Sequence, residues 1–326
     1  MFLTIRFQRI CHLAEKGETV NRTFAQEESR CEFVFTQLGP CWHLYTPENH
    51  PVMMTDIADF KAGMTLLAIC AFHFPSIRIL TFQWMSNHLH ITLAGPEEDI
   101  VRMFAMLKKY LANYLKMKDY AGSMDGWECR LRQIGDLHDL RNVIAYNNRN
   151  GFLVSSDHTP FNYPWGANRC FFNPDAKARF MGCRETISCT ILRESFRTHK
   201  FDGFAGKPYM DGIIPPQAFC DITSAEALFR NARHYFSQIS KNLEGMRSVA
   251  KEIGESLCYT DDDLFSILLG ISRDQYGAAK PAFLPTQAKI ELARKMHFEY
   301  NAGVKQIARM LKVDQSVLAG VIPISR

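Results

Sequence analysis

The chain has 326 residues, 47% apolar and 22% charged, with a formal net charge of +4. This composition excludes a disordered or fibrous chain and is enough to build the cores of two ordinary domains. The mildly basic balance permits a nucleic-acid partner without requiring one.

Ten Cys occur with no Cys-x-x-Cys pair and no zinc-type Cys/His spacing; Cys41-Trp42-His43 comes nearest and has no partner pair. A reducing, cytoplasmic setting is therefore expected rather than a disulfide framework. The apolar run from Met64 to Phe74 is too short to cross a bilayer, so no membrane association is expected. Arg6 and Arg9 interrupt the apolar start of the chain, and no small-residue cleavage site follows, which argues against a secretory signal.

In chain order, Met1 to Arg30 read as an N-terminal extension. Cys31 to Thr36 read as a first strand and Cys41 to Tyr45 as its hairpin partner across the Gly39-Pro40 turn. Asp56 opens a helix to about Phe72, with Ile57, Phe60, Met64 and Ala68 at helical spacing. Ile77 to Trp84 and His88 to Leu93 form two strands joined tightly at Ser86-Asn87. Glu97-Glu98-Asp99 starts a helix to about Met117, and Leu137 to Asn150 is another. The alternation predicts an α+β fold, a small antiparallel sheet with helices on one face. Asn173 to Lys200 resists assignment. Helices are then expected at about 224–240, 242–257, 261–273 and 286–300, with two short ones after Gly303. Three parts result: the extension 1–30, a first domain 31–170, and a helical C-terminal domain 171–326.

Two stretches carry chemistry. In Trp84-Met85-Ser86-Asn87-His88-Leu89-His90-Ile91-Thr92-Leu93, residues two apart share a strand face, so His88 and His90 project together and make half of a divalent-metal site. With 11 His in the chain, a chance pair reads equally well. In the helix Leu137–Asn150, Leu137, Leu140 and Ile144 form an apolar stripe, while Asp139, Asn142, Tyr146 and Asn150 share the other face. A phenol one turn from an amide suits a nucleophile beside a metal-binding carbonyl. An amphipathic surface helix with Tyr at its rim reads the same pattern.

Met85-Ser86-Asn87-His88-Leu89-His90, followed by Tyr146-Asn147-Asn148-Arg149-Asn150, then Gly151-Phe152-Leu153-Val154 and Tyr163-Pro164-Trp165-Gly166, resembles the single-tyrosine HUH transposases, specifically the REP-associated tyrosine transposase group. Ser86 stands where that family commonly has Pro, and its Pro-Val-Arg-Ala between Asn and Gly is missing. The likeness covers roughly residues 31–170. It implies a ferredoxin-like HUH fold in which His88, His90 and Asn150 hold Mg²⁺ or Mn²⁺. It also implies that Tyr146 attacks a phosphodiester to give a 5′-phosphotyrosine link and a free 3′-hydroxyl. A free Tyr has a pKa of about 10, so such a site must stabilise the phenolate. Asp139 and His138 are weaker candidates for proton transfer, and Tyr110, Tyr114 and Tyr120 are rival nucleophiles without an Asn one turn on.

The substrate class so implied is single-stranded or hairpin DNA, handled by a homodimer. Lys108, Lys109, Lys116, Lys118, Arg130, Arg132, Arg141, Arg149 and Arg169 are candidates for phosphate neutralisation. Tyr110, Tyr114, Trp127 and Trp165 are candidates for base stacking. Residues 286–321 resemble a helix-turn-helix: Lys305 to Leu311, a turn at Lys312-Val313, and Asp314 to Val321, where Gln315 could read adenine. The expected activity is metal-dependent DNA nicking and rejoining. The alternative is a domesticated, non-transposing DNA-binding regulator on the same fold.

Overall fold

A computed structural model describes residues 23–120, 122, 124–150, 161–255, 259–320 and 322. The chain divides into two compact units, Met1–Gly245 and Met246–Arg326.

The first unit opens with a helix, α1, over residues 23–38. The strand expected at Cys31–Thr36 is thus its last turns. Cys31 and Leu38 are buried, with Val34 and Phe35 half-buried between them. That is a helical stripe at steps of three and four, and the contiguous Phe33-Val34-Phe35 mimics a strand only because Phe33 points outward at 63% exposure. Six elements then alternate: β1 (Cys41–Tyr45), α2 (Ile57–His73), β2 (Arg78–Trp84), β3 (Leu89–Ala94), α3 (Glu97–Met117) and β4 (Arg130–Ile134). The strands form one antiparallel sheet in the order β2-β3-β1-β4. β1 therefore pairs not with residues 31–36 but with β3 and β4. β4 had no sequence signature, because Arg130, Arg132 and Gln133 read as solvated surface; as an edge strand it tolerates them.

Local chemistry accounts for the elements that were foreseen. Asp56 caps α2 and closes a capping box with Asp59, which also takes hydrogen bonds from Thr55 and from Tyr114 Oη. Ser86-Asn87 closes the β2–β3 hairpin, with Met85 N donating to His88 O. Glu97, Glu98 and Asp99 occupy the first turn of α3, where the helix dipole favours anions.

The sheet is covered on both faces, not one. Trp84 lies directly opposite Leu89 across the β2–β3 ladder, so both point the same way. Trp84 stacks on Trp127, which stacks on Phe104 of α3, and the Gly63 position of α2 approaches the Trp84 ring. This is the apolar layer. The other face is closed by α4 (Leu137–Asn150), which packs on β2 and β3. Asp136 accepts from Asp139 N and starts it.

The boundary between compact units falls at Gly245, well after the division at 170/171 that the sequence suggests, because residues 161–245 are built into the first unit. Trp165 O accepts from Trp84 N, Ala167 N donates to Phe82 O, and a Cβ at Gly166 would meet Phe82 O at 2.9 Å. Only glycine lets that segment close against the β2 edge. Asp221 N reaches Ile79 O. Phe196, Phe201 and Phe204 from α6 (Cys189–Phe196) and the turn after it pack against α2 and α3, while α5 (Pro174–Met181) starts at the Asn173 cap. The helix expected at 224–240 is two, α7 (Ile222–Ala227) and α8 (Ala232–Lys241), broken where Asn231 caps α8.

The helix α9 (Leu243–Ile253) runs across the boundary. After it come α10 (Asp261–Tyr276), α11 (Thr286–Tyr300), α12 (Val304–Leu311) and α13 (Gln315–Ala319), so regular structure in the second unit is helical among the described residues. Lys312 takes a left-handed φ of 53° between α12 and α13, and Asp314 caps α13. No helix is long and apolar enough to cross a membrane.

Candidate active site

β3 lies inside the sheet between β2 and β1. Alternation along it turns His90 and Thr92 toward α4 and Leu89, Ile91 and Leu93 toward α2 and α3. The ladders add Gln83 and Thr81 from β2 and His43 from β1 to the same face, since these lie opposite His90 and Thr92. The result is a buried polar sheet surface, which must be met by polar partners to avoid a large desolvation cost.

The polar side of α4 meets it. Asn147 Nδ2 donates to Thr92 Oγ1 at 2.7 Å, and Thr81 Oγ1 donates to Asn148. Asn148 in turn donates to Tyr235 Oη, which donates to Asn168. The expectation of a surface helix is corrected here. Every residue from Leu140 to Asn150 is buried, because α8 covers the side that the sheet does not.

Tyr146 lies edge-on to His90, ring centroids 5.6 Å apart at 89°, and 6.2 Å from His43. His88 is edge-on to His90 at 5.0 Å. Asn150 Nδ2 stands 3.4 Å from His90 Nε2. The phenol, both histidines and the amide singled out in the sequence thus converge on one spot, with Tyr146 only 1% exposed.

The hydrogen bonds set the tautomers. Asn87 Nδ2 donates to the carbonyls of Glu48 and His50, which turns Asn87 Oδ1 to His88 Nδ1 at 2.8 Å. A carbonyl oxygen only accepts, so Nδ1 of His88 carries the proton and Nε2 keeps its lone pair. At His90, Nε2 faces an amide nitrogen and is the acceptor, so the proton sits on Nδ1, 3.2 Å from His43 Nε2. Burial pushes His90 down to about 3, and burial with His90 alongside does the same for His88. His43 is held well below the usual imidazole range, first by burial, then by His90 and Arg132, against the Asn147 amide beside it. Neutral imidazoles with Nε2 lone pairs are the form that binds metal. His88 and His90 present ring nitrogens within 4.8 Å of one another, a pair that could hold a metal ion.

His43 escaped the sequence reading. It was seen only as part of an isolated Cys-x-His. The available signal was its place in Cys41–Tyr45, where strand alternation separates it from Leu44.

The expected DNA-contacting residues fare differently. Lys108 and Lys109 lie on α3, which packs on the face of the sheet opposite α4 and Tyr146. Lys116 and Lys118 lie on the same side, and Lys118 pairs with Asp56 and Asp59. Arg141 is buried, donating to Leu228 O and bridging Glu28 of α1. Arg149 is buried and donates to Ile239 O. Both guanidiniums tie α4 to its neighbours and are not presented to a strand of DNA. Arg132 pairs with Asp139 at 2.8 Å. Trp165 stacks on Phe60 at 5.0 Å, and Trp127 is in the core. Arg169 is half-buried on the turn Asn168–Cys170. Gln315 is exposed in the first turn of α13, in the second unit. Of the rival nucleophiles, Tyr110 and Tyr114 lie on α3, and Tyr114 Oη is spent on Asp59. Gly151 to Val154 fall outside the described residues.

Asn87 gives a direct test of this scaffold. Asn87→Ala removes the group that orients His88, and Mn²⁺ affinity measured by titration should fall about 10- to 100-fold, as for other residues that orient a metal ligand.

Compared with family models, with curated proteins and with solved structures, the chain matches none.

Proposed function

We propose that this chain cuts and rejoins single-stranded or hairpin DNA through a covalent Tyr146 intermediate, as a transposase of the single-tyrosine HUH kind. The carrying observation is the convergence of Tyr146 on His90, with His88 and Asn150 beside it. The strand order β2-β3-β1-β4 in a βαββαβ chain supports a ferredoxin-like assignment.

The donor set fits a divalent cation: two neutral imidazoles aimed through Nε2 and an amide that a flip converts from donor to oxygen ligand. His88, His90 and Asn150 would hold Mg²⁺ or Mn²⁺, which when bound offsets charge on a scissile phosphate. Tyr146 Oη forms a bond to phosphorus as the bond from phosphorus to the 3′ oxygen breaks. The phenol gives up one proton and the departing 3′ oxygen takes one, so the step is proton-neutral. Attack by a second 3′-hydroxyl reverses it and joins new ends, because the phosphotyrosine ester keeps the energy of the broken phosphodiester. β3 holds His90, the hairpin contacts from Met85 N and Asn87 hold His88, and α4 is fixed by the Asn147, Asn148, Arg141 and Arg149 contacts, which preorganises the phenol.

The test is incubation of the full chain with labelled hairpin DNA and Mn²⁺, followed by peptide mapping. A covalent nucleotide adduct on Tyr146 is the expected outcome; an adduct on another Tyr, or none, refutes the proposal. The burial of Tyr146 favours a second reading, a DNA-binding regulator that keeps the fold without cutting. That reading requires hairpin binding without any adduct, and Gln315 of the helix-turn-helix-like end would then contribute to recognition.

A further inference from the structure

His43 is a third imidazole in this layer. It comes from a different strand, and its ring stacks near His90 at 5.4 Å with 27° between planes. It is fully buried. β1, which carries it, is hydrogen-bonded on both sides, to β3 and to β4, so its position is among the most constrained in the sheet. Leu44 and Cys41 of the same strand are also buried. A histidine is an expensive choice for a fully enclosed position, the more so because its Nδ1 has no hydrogen-bond partner among the described residues, and Nε2 is the ring nitrogen in use.

We infer that His43 is a positioning residue, whose Nε2 accepts the Nδ1 proton of His90 and so fixes the rotation and tautomer that direct His90 Nε2 toward the cation. The inference rests on the nuclease reading for its purpose, but the geometry is independent of it. An imidazole coordinates through one nitrogen and is oriented through the other, and here the outer partner is a second imidazole instead of the usual carboxylate or carbonyl. The 3.2 Å contact supplies the acceptor. Asn150, reaching Nε2 with a donor nitrogen, requires the same tautomer from the opposite side of the ring. Asn147 lies beside His43 without a hydrogen bond to its Nδ1, while its own Nδ2 is held by Thr92. The order Asn147, His43, His90 thus runs from α4 through β1 to β3. Asn147 is the residue next to Tyr146 on the site helix. His43 thus touches both the ring that would bind the metal, by a hydrogen bond, and the helix that carries the nucleophile, by its edge contact with Tyr146.

Three variants of the full chain test this: His43→Phe, which keeps a flat ring but cannot accept; His43→Gln, whose side-chain oxygen can; and His90→Ala as the control for metal binding. Mn²⁺ affinity is read from the free-ion paramagnetic signal, and the His90 tautomer from ¹⁵N imidazole shifts in metal-free protein. Expected are an Nδ1-protonated His90 in the unaltered chain, a loss of affinity of about 10- to 100-fold in His43→Phe, and recovery to within a few-fold in His43→Gln. A folded His43→Phe that binds Mn²⁺ within twofold of the unaltered chain overturns the inference. Should His43→Phe fail to fold, the tautomer decides: an Nε2-protonated His90 in the unaltered chain overturns it, and Nδ1-protonated supports it. If the unaltered chain binds no Mn²⁺ and His90→Ala changes nothing, the metal reading fails, while the tautomer measurement still judges the role of His43.

Discussion

Replacing Tyr146 with Phe should remove covalent capture of hairpin DNA and lower strand cleavage by at least about 10³-fold, the scale seen when a nucleophile is deleted. The ring of Phe keeps the edge-on contacts to His90 and His43, so the packing of α4 on the sheet survives. The stability cost should be about that of one hydrogen bond, roughly 0.5–1.5 kcal/mol by urea unfolding. This separation matters, because every residue around Tyr146 is buried and a larger side-chain change would confuse chemistry with folding. DNA binding by gel shift should persist in the variant. Cleavage at an undiminished rate would remove Tyr146 from the reaction.

Acid should destabilise the first unit well above the pH at which carboxylates titrate. His88 and His90 are each depressed to about 3 in the folded chain, mainly by burial. An unfolded His titrates near 6.5. Between those values the unfolded chain binds more protons, so stability rises with pH across the window and falls as pH drops from about 6.5 toward 3. At pH 5 each ring should cost about 2 kcal/mol relative to neutral pH. His43 acts in the same direction, as does the half-buried His234, lowered to about 4 by burial and by Arg230 and Arg141. Urea midpoints at pH 7 and pH 5 measure this, and Mn²⁺ at saturating concentration should raise stability at both pH values by about the same amount, because the folded rings are already neutral across this window. A stability that is flat between those pH values would contradict neutral buried rings.

Several elements were readable because their signals are local. Asp56 with Asp59 marks the start of α2, the acidic triplet Glu97-Glu98-Asp99 marks α3, and Ser86-Asn87 marks the hairpin. The same holds for the period-two placement of His88 and His90 and the one-turn spacing of Tyr146 and Asn150. These depend on neighbours within four residues. What failed depended on more distant partners. Cys31 to Thr36 has both a strand-like apolar run and a helical stripe, and burial of Cys31 and Leu38 settles it as helix. β4 exists because β1 has an open edge for it. Arg141 and Arg149 have the composition of a DNA-facing surface, yet Leu228, Glu28 and Ile239 claim them from 87, 113 and 90 residues away in the chain.

The sequence by itself determined which groups have the chemistry: two imidazoles on one strand face, and a phenol and an amide on one helix face, each placed by backbone periodicity. Only the tertiary structure decided that these two faces meet. A sheet whose hydrogen-bond ladder aligns His43, Thr81, Gln83, His90 and Thr92 makes a buried polar surface, and only a helix with matching amides can cover it without stranding those groups. That pairing brought in His43, which no short-range pattern could have connected to residues 88 to 90.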